Sequence, residues 1–589
     1  MPVPGVFQEK RCFFVYGKMH SACLYGIEGV MIGVEIDLAN GLPQTIIIGL
    51  PDSAVREAVE RVRAAVKNCG YSYPQQRVTI NLAPADLRKE GSAFDLAIAL
   101  GILTTSGQLV MPDAEKMLLI GELALDGSLR PVNGVLSMVE AARRAGFQAV
   151  LVPPGNAAEA ALITGIRVYT AGHLRELSPS AASVPASPVT VEPVPVLELP
   201  IATEVPDSAI PKLSMLQTEL PFPVSVSKEP SPRNRPPVQV LTLDHLRYQP
   251  EGDKILAPSR EDHLMKEDYS DVIGQNHVKR ALTIAAAGMH NIILIGPPGT
   301  GKTMLIKRLP GILPDLSDDE SLEVMKIFSA AGKLRDSNGG LMRLRPFRSP
   351  HHTISAAGLI GGGGIPKPGE VSLAHRGILF LDELPEFSRT VLEVLRQPLE
   401  DGVVTISRAR ASFTFPAQFL LACSMNPCMC GFLGNGSSQQ RCTCSPARIA
   451  QYRAKISGPL LDRMDMQVDV PRPKEWDRNV PALSTAQMRE DVLRAQAIQA
   501  KRYQRLPISW NSELSGAALR RYAALRHEEN LLLNSILESL GLSMRAHDRI
   551  IKLARTIADL EGAEEINSAH LAEAVQYRNL DRQVLTEEE

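Results

Sequence analysis

The run NIILIGPPGTGKT, residues 291–303, constrains this chain more than any other stretch. An apolar strand pattern leads into a glycine-rich turn, and the turn leads into the helical pattern MLIKRL. The turn reads Gly296, Pro297, Pro298, Gly299, Thr300, Gly301, Lys302, Thr303, the spacing G-x-x-x-x-G-K-T. Its glycines let backbone N–H groups wrap phosphates at the start of a helix. Lys302 then sits against the β- and γ-phosphates of ATP, and the Thr303 hydroxyl binds Mg²⁺. The strand before it and the helix after it set this apart from a chance glycine-rich turn.

Two further strand patterns belong with the first. GILFLDEL ends in Asp382 and Glu383, about eighty residues after the P-loop. Its two acids emerge at the carboxyl end of a buried strand, where open α/β sheets bind ligands. There Asp382 holds Mg²⁺ through water and Glu383 polarises an attacking water. FLLACSMNP ends at Asn426. That side chain either positions the water and senses the γ-phosphate, or opens the turn before Pro427.

At 589 residues the chain is too long for one core, and two to four domains are expected. Residues 1–18 form an extension and 19–178 an α/β unit. Residues 179–264, rich in Pro, Ser and Val, read as a semi-extended linker. Residues 265–476 are a second α/β module, and 477–589 are helical, with Ser543 and Asn567 as caps. No apolar run reaches the roughly 18 residues that span a bilayer. The apolar part of EKRCFFVYGKM is shorter than the ~7–15 residues of a signal peptide core. These readings place the protein in the cytoplasm, away from membranes, with Cys12, Cys23 and Cys69 as reduced thiols. A net charge of −2 excludes a general polycation, so any nucleic-acid contact must be local.

Four of the eight cysteines fall in NPCMCGFLGNGSSQQRCTCSP, residues 426–446. Cys428, Cys430, Cys442 and Cys444 form two C-x-C pairs separated by a Gly/Ser-rich loop. Four thiolates suit a tetrahedral, structural Zn²⁺ site. Unligated reduced thiols and a redox switch are the alternatives. Two insertions carry local positive charge. LMRLRPFRSPHHTISAAGLIGGGGIPKPGE supplies Arg343, Arg345, Arg348 and Lys367. VVTISRARASFTFP reads as a β-hairpin with Arg408 and Arg410 near its turn. Mobile hairpins with such side chains can follow a phosphate backbone without reading bases. Otherwise they are a solvated face or interface contacts. The adjacent His351 and His352 read as structural residues or phosphate contacts, not metal ligands.

The P-loop, the Asp-Glu strand, the strand ending in Asn426, SGPLLDRMD and the helical tail resemble the AAA+ ATPases. DVIGQNHVKRALTIAAAGMHNIILIGPPGTGKT, FRSPHHTISAAGLIGGGGIPKPGEVSLAHRGILFLDELPEF, LRQPLEDG, MNPCMCG and SGPLLDRMD resemble, more closely, the magnesium-chelatase-like ComM/YifB family. The likeness covers nearly the whole chain outside the linker. It implies an AAA+ core of α/β/α layers with a C-terminal helical lid, assembled as a homo-hexamer. It implies that Arg463 is an arginine finger reaching a neighbour's γ-phosphate. It also implies that Arg545 is the lid arginine touching nucleotide in cis, with Arg549 as competitor, and that Asp271–Gln275 flank the adenine. The basic insertions resemble the pore hairpins of helicase-type rings, and the resemblance carries a cysteine cluster at this position. LAPADLRKEGSAFDLAIALGIL and GELALDGSLRPVNGVLSMVEAARRAGFQAVLVP resemble the Lon-protease-like domain. Ser92 stands near its nucleophile position. Where the activating lysine belongs, the chain has Leu136, Ser137 and Met138, with no lysine between Lys116 and Lys212. Protease activity is therefore not expected. The implied activity is a DNA-stimulated ATPase and helicase that translocates on single-stranded and branched DNA. It would promote branch migration during recombination of incoming, transforming DNA, with recombination proteins as partners. The alternative is the motor subunit of a magnesium-chelatase-type complex. The implied cofactors are ATP, Mg²⁺ and Zn²⁺.

Overall fold

Within the strand Glu28–Ala39, burial of Ile32, Val34 and Ile36 at every second position makes one face apolar. That face is the start of a mixed seven-stranded sheet. In the computed structural model the described residues are 16–177, 239–241, 243–249, 267–334, 340–364, 366–408, 411–434, 441–472, 482–541 and 543–578. Tyr16–Tyr25 and Glu28–Ala39 form a long antiparallel ribbon. The sheet runs Arg167–Thr170, Ala149–Val152, Met117–Leu119, Tyr16–Tyr25, Glu28–Ala39, Arg77–Ala83, Gln44–Ile48. The helix Asp95–Thr105 is buried along almost its whole length, as its apolar sequence predicts. Asp52 caps the helix Ser53–Asn68, its carboxylate accepting from the Val55 N–H at 2.8 Å.

The second sheet has five parallel strands. Their order is Phe347–Arg348, Ile378–Leu381, Leu420–Met425, Ile292–Ile295, Met466–Asp469. The strand that enters the P-loop therefore lies between the strand that ends at Asn426 and Met466–Asp469. Its side chains alternate between two separate cores. Ile292 and Leu294 pack with the helix Asn276–Gly288 and the C-terminal helices, while Ile293 and Ile295 pack with Leu384, Leu392 and Leu460. This is a sheet covered on both faces. The C-terminal helices are Thr485–Tyr503, Gly516–Tyr522, His527–Ser539, Met544–Leu560 and Ser568–Gln576. Ser543 and Asn567 cap the last two, accepting from Ala546 N–H at 3.3 Å and His570 N–H at 3.0 Å. No described helix is long and apolar enough to cross a membrane.

Part of the expected linker has a fixed place. Gln239–Val240 pairs in parallel with Leu109–Val110, and the Tyr248 N–H donates to the Val168 carbonyl at 2.9 Å. This stretch thus adds to the surface of the N-terminal unit. Most of 179–264, like Cys12 and the rest of residues 1–15, lies outside the described residues.

The two sheets are packed against one another through named contacts. On the helix Asp318–Ala330, Lys326 pairs with Glu140 and the Ser329 hydroxyl donates to Glu159. The Tyr25 and Phe413 rings lie 4.8 Å apart, and Ile27 is buried with Val404, Ile406 and Phe415. The N-terminal unit therefore buttresses the hairpin Val403–Arg408/Ala411–Pro416.

Candidate nucleotide site and its surroundings

The P-loop strand is wholly buried, and the chain leaves it at Gly296 to wrap toward the helix Lys302–Lys307. Gly299 and Gly301 have φ of 79° and 87°, left-handed values that strain any other residue. The Lys302 ammonium donates to the carbonyls of Gly296 at 2.7 Å and Pro297 at 2.9 Å, and to Asn426 Oδ1 at 3.2 Å. Burial lowers its pKa, against the pull of Asp382 and Glu383. The Thr303 hydroxyl donates to Asp382 Oδ2 at 2.9 Å. The motif residues from three strands thus meet at one end of the sheet. The backbone N–H groups of the loop, a lysine, a hydroxyl and a carboxylate form a donor set that fits a nucleotide phosphate with Mg²⁺.

Ser424 completes this corner, and motif reading passes over it. Its hydroxyl donates to Asp382 Oδ1 and accepts from the Glu383 N–H at 3.3 Å. The available signal is the two-residue period of a strand, which puts residues 424 and 426 on one face. Glu383 adopts φ of 53° and its side chain is exposed, unlike the strand it follows.

The cysteine loop rests on the P-loop. Gly431 has φ of 82°, and a Cβ there would stand 2.7 Å from Pro298 Cδ. The four sulfur atoms lie within 4.8 Å of one another. Cys428 is 3.3 Å from Cys430 and 3.7 Å from Cys442, and Cys430 is 3.6 Å from Cys442. A tetrahedral ion with bonds of about 2.3 Å needs sulfurs about 3.8 Å apart, so the cluster fits a metal of this class. The N–H of Phe432 is the main influence holding the Cys430 thiol down at about 6.

Arg463 and Arg545 sit elsewhere. Asp465 and Met466 donate their N–H groups to the Asn291 carbonyl, so Arg463 lies at the amino edge of the sheet. The P-loop lies at the carboxyl edge, one four-residue strand away, about 13 Å at ~3.3 Å per residue. Arg463 is buried; it donates to the Pro459 carbonyl at 2.6 Å and pairs with Glu400. Arg463, and then Arg545, hold the Glu400 carboxyl below its ordinary value. Arg549 is engaged with Asp465 at 3.2 Å, which leaves Arg545 as the exposed arginine of this helix. Arg545 stands on the Arg463 side, where its charge adds to that of Arg463 in lowering the Glu400 carboxyl.

The basic insertions divide into spent and exposed groups. Arg345 is buried, bonded to Glu320 at 2.9 Å and to the Pro314 and Arg376 carbonyls at 2.8 Å, with its guanidinium 5.4 Å from the Trp510 ring centre. Arg348 grips Glu370 with two bonds of 2.5 and 2.9 Å. Arg345 is an internal strut, which corrects its reading as a DNA contact, whereas Arg348 is half-buried and held in its ion pair. Arg343 is exposed but paired with Asp318 at 2.6 Å. Lys367 is exposed on the short hairpin Gly361–Gly362/Lys367–Pro368, and Arg408 donates to the Gly363 carbonyl at 2.9 Å, joining the two hairpins. Arg410 lies outside the described residues. The His351 and His352 rings stack at 4.1 Å, beside Phe387.

In the N-terminal unit the Ser92 hydroxyl donates to Glu122, while the buried Lys89 donates to the Pro84 carbonyl. Leu136, Ser137 and Met138 are buried in the helix Val135–Arg144. Ser92 and Glu122 line a cavity of 370 Å³ whose far wall is Lys367, Pro368 and Phe413. As for the strut, Arg345→Ala should destabilise the protein by about 3 kcal/mol, because it strands Glu320. Denaturant unfolding would read that loss, and fluorescent-nucleotide titration of the folded variant should show unchanged affinity.

Known proteins match this chain over most of its length. The family model "Magnesium chelatase, subunit ChlI" matches residues 268–477. "Subunit ChlI of Mg-chelatase" matches 34–156, and "Magnesium chelatase, subunit ChlI C-terminal" matches 482–578. YifB of Salmonella typhimurium is 40% identical over 568 residues, 96% of this chain and 97% of that one. Competence protein ComM of Haemophilus influenzae is 39% identical over 567 residues, with the same shares. The magnesium-chelatase 38 kDa subunit of Rhodobacter capsulatus is 23% identical over 335 residues, 51% of this chain and 84% of that one. With both near-full-length matches far above the level of chance, and the P-loop corner assembled as its motifs require, the chain belongs to the ComM/YifB family of magnesium-chelatase-like AAA+ proteins.

Proposed function

We propose that this protein is a ring-forming ATPase that moves on single-stranded and branched DNA and drives branch migration of incoming DNA, acting in the cytoplasm as a hexamer. The observation that carries the ATPase reading is the meeting of Lys302, Thr303, Asp382 and Asn426 within hydrogen-bond reach. Lys302 and the loop N–H groups bind the phosphates, and Thr303 with Asp382 holds Mg²⁺, which neutralises charge on them. Glu383, exposed beside this corner, orients and deprotonates the attacking water, and Asn426 positions it. Arg463 and Arg545 approach from the neighbouring copy, where a finger stabilises the charge of the transition state.

The DNA reading rests on two supports. One is the similarity to competence protein ComM over 96% of the chain. The other is the exposed cationic pair Lys367 and Arg408 on adjoining hairpins, backed by the N-terminal unit. The chelatase-motor reading is weaker, since the 38 kDa chelatase subunit spans only 51% of this chain at 23% identity. The four cysteines hold a structural Zn²⁺ that keeps their loop still against Pro298.

Glu383→Gln should keep nucleotide binding and ring assembly while turnover falls by about 10²-fold or more; full turnover in a steady-state assay would remove Glu383 from its role. With ATP, the wild-type protein should move a labelled four-way junction on a gel, and an unmoved junction would overturn the branch-migration reading. Elemental analysis should find one zinc per subunit, lost in Cys428→Ser. Metal-free wild-type protein that still assembles normally would overturn the zinc assignment.

A further inference from the structure

Bonds made by one residue tie the P-loop strand to the turn that carries Arg463 and to a neighbouring strand. Asn291 stands at the amino end of that strand. Its Nδ2 donates to the Arg463 carbonyl at 3.1 Å, and its Oδ1 accepts from the Leu421 N–H at 2.9 Å. Its own N–H donates to Asp465 Oδ2 at 2.9 Å, and its carbonyl accepts from Asp465 N–H at 2.9 Å. Three strands of the sheet are thereby registered to the Arg463 turn at a single point.

Asp465 carries the connection on to the C-terminal helices. Its Oδ1 accepts from Arg549 at 3.2 Å, and His290 Nδ1 stands 3.7 Å from its Oδ2. The other nitrogen of His290 bonds the Thr556 hydroxyl at 2.7 Å, on the same helix as Arg549. Burial alone would raise the Asp465 carboxyl, but Arg549 and His290 hold it well below the carboxylate range. Arg545 lies four residues before Arg549, on the same helix face. A buried ion pair adds little net stability over an apolar pair of the same size. What this one fixes is where the two arginines stand relative to each other.

We propose that Asp465 and Asn291 are positioning residues, which hold Arg463 and Arg545 as one unit against the nucleotide of a neighbouring copy. This rests on the ring-ATPase reading above and adds to it two residues to which that reading gives no role. It also makes the P-loop strand of one copy, through Asn291, the mechanical link to the site of the next.

The test is Asp465→Asn in the full-length protein, with Arg463→Ala and Lys302→Ala as companions. Titration with a fluorescent ATP analogue should give Asp465→Asn nearly the wild-type affinity, because its own P-loop is untouched. Its turnover should fall about tenfold or more, the scale of a misplaced catalytic group. Mixing it with Lys302→Ala subunits should restore part of the rate. Where the Asp465→Asn subunit supplies the P-loop and the Lys302→Ala subunit the Arg463 face, an intact P-loop meets an intact face. Full turnover in Asp465→Asn beside an inactive Arg463→Ala overturns the proposal alone. So does parallel loss of affinity and turnover with no recovery on mixing. A wild-type protein without ATP turnover overturns the ring-ATPase reading first and this inference with it. If Asp465→Asn does not fold, Arg549→Lys retains the charge without the guanidinium fork. It should show the same split of affinity from turnover, and wild-type turnover in it would contradict the proposal.

Discussion

The register of three buried parallel strands is the constraint on which this molecule depends. Ile295 lies opposite Met425, and Leu381 opposite Cys423. That alignment brings Gly296, Asn426, Asp382 and Ser424 out of the sheet at one edge. A slip of one residue would send each side chain to the other face. The strands hold register because both faces are buried, with alternate residues committed to different cores. The chemistry of the corner, a lysine and a hydroxyl set against a carboxylate and an amide, follows from that alignment.

The same sheet gives the molecule two opposite working edges. The carboxyl edge holds the P-loop corner, with the cysteine loop laid on Pro298. The amino edge holds the Arg463 turn, fastened by Asn291 and Asp465 to the helix of Arg545. On the proposed reading, a ring joins one edge of each copy to the other edge of the next, so strands of about 13 Å carry the signal between sites. The hairpins with Lys367 and Arg408 project from the same core, and the N-terminal unit packs on them through Tyr25 and Ile27. Movement of the hairpins is therefore movement against that unit.

Much of this was legible in the sequence, for physical reasons that differ by region. The P-loop, Asp382 and Asn426 are readable because short apolar runs ending in polar residues mark buried strands with functional tips. The caps Ser543 and Asn567 are readable because the signal is local. Long-range pairing is not. Arg345 and Arg348 look like exposed cations until Glu320 and Glu370, more than twenty residues away, are found against them. The side of the sheet on which Arg545 stands is not readable, because sequence does not say which edge a helix covers. Asn291 and Asp465 look like ordinary turn residues, and only the fold shows that they meet. Composition suggests two bodies on a linker, whereas residues 239–249 and the Lys326–Glu140 pair bind parts of that arrangement together.

On the proposed reading the P-loop corner and the hairpins work as one motor, with phosphate contacts on DNA speeding the ATP cycle. Steady-state ATP hydrolysis, measured at fixed salt with increasing forked or single-stranded DNA, tests it most directly. Turnover should rise saturably, with a rise that weakens as salt increases and vanishes in Lys302→Ala. Turnover that stays flat across the DNA titration at low salt would contradict it.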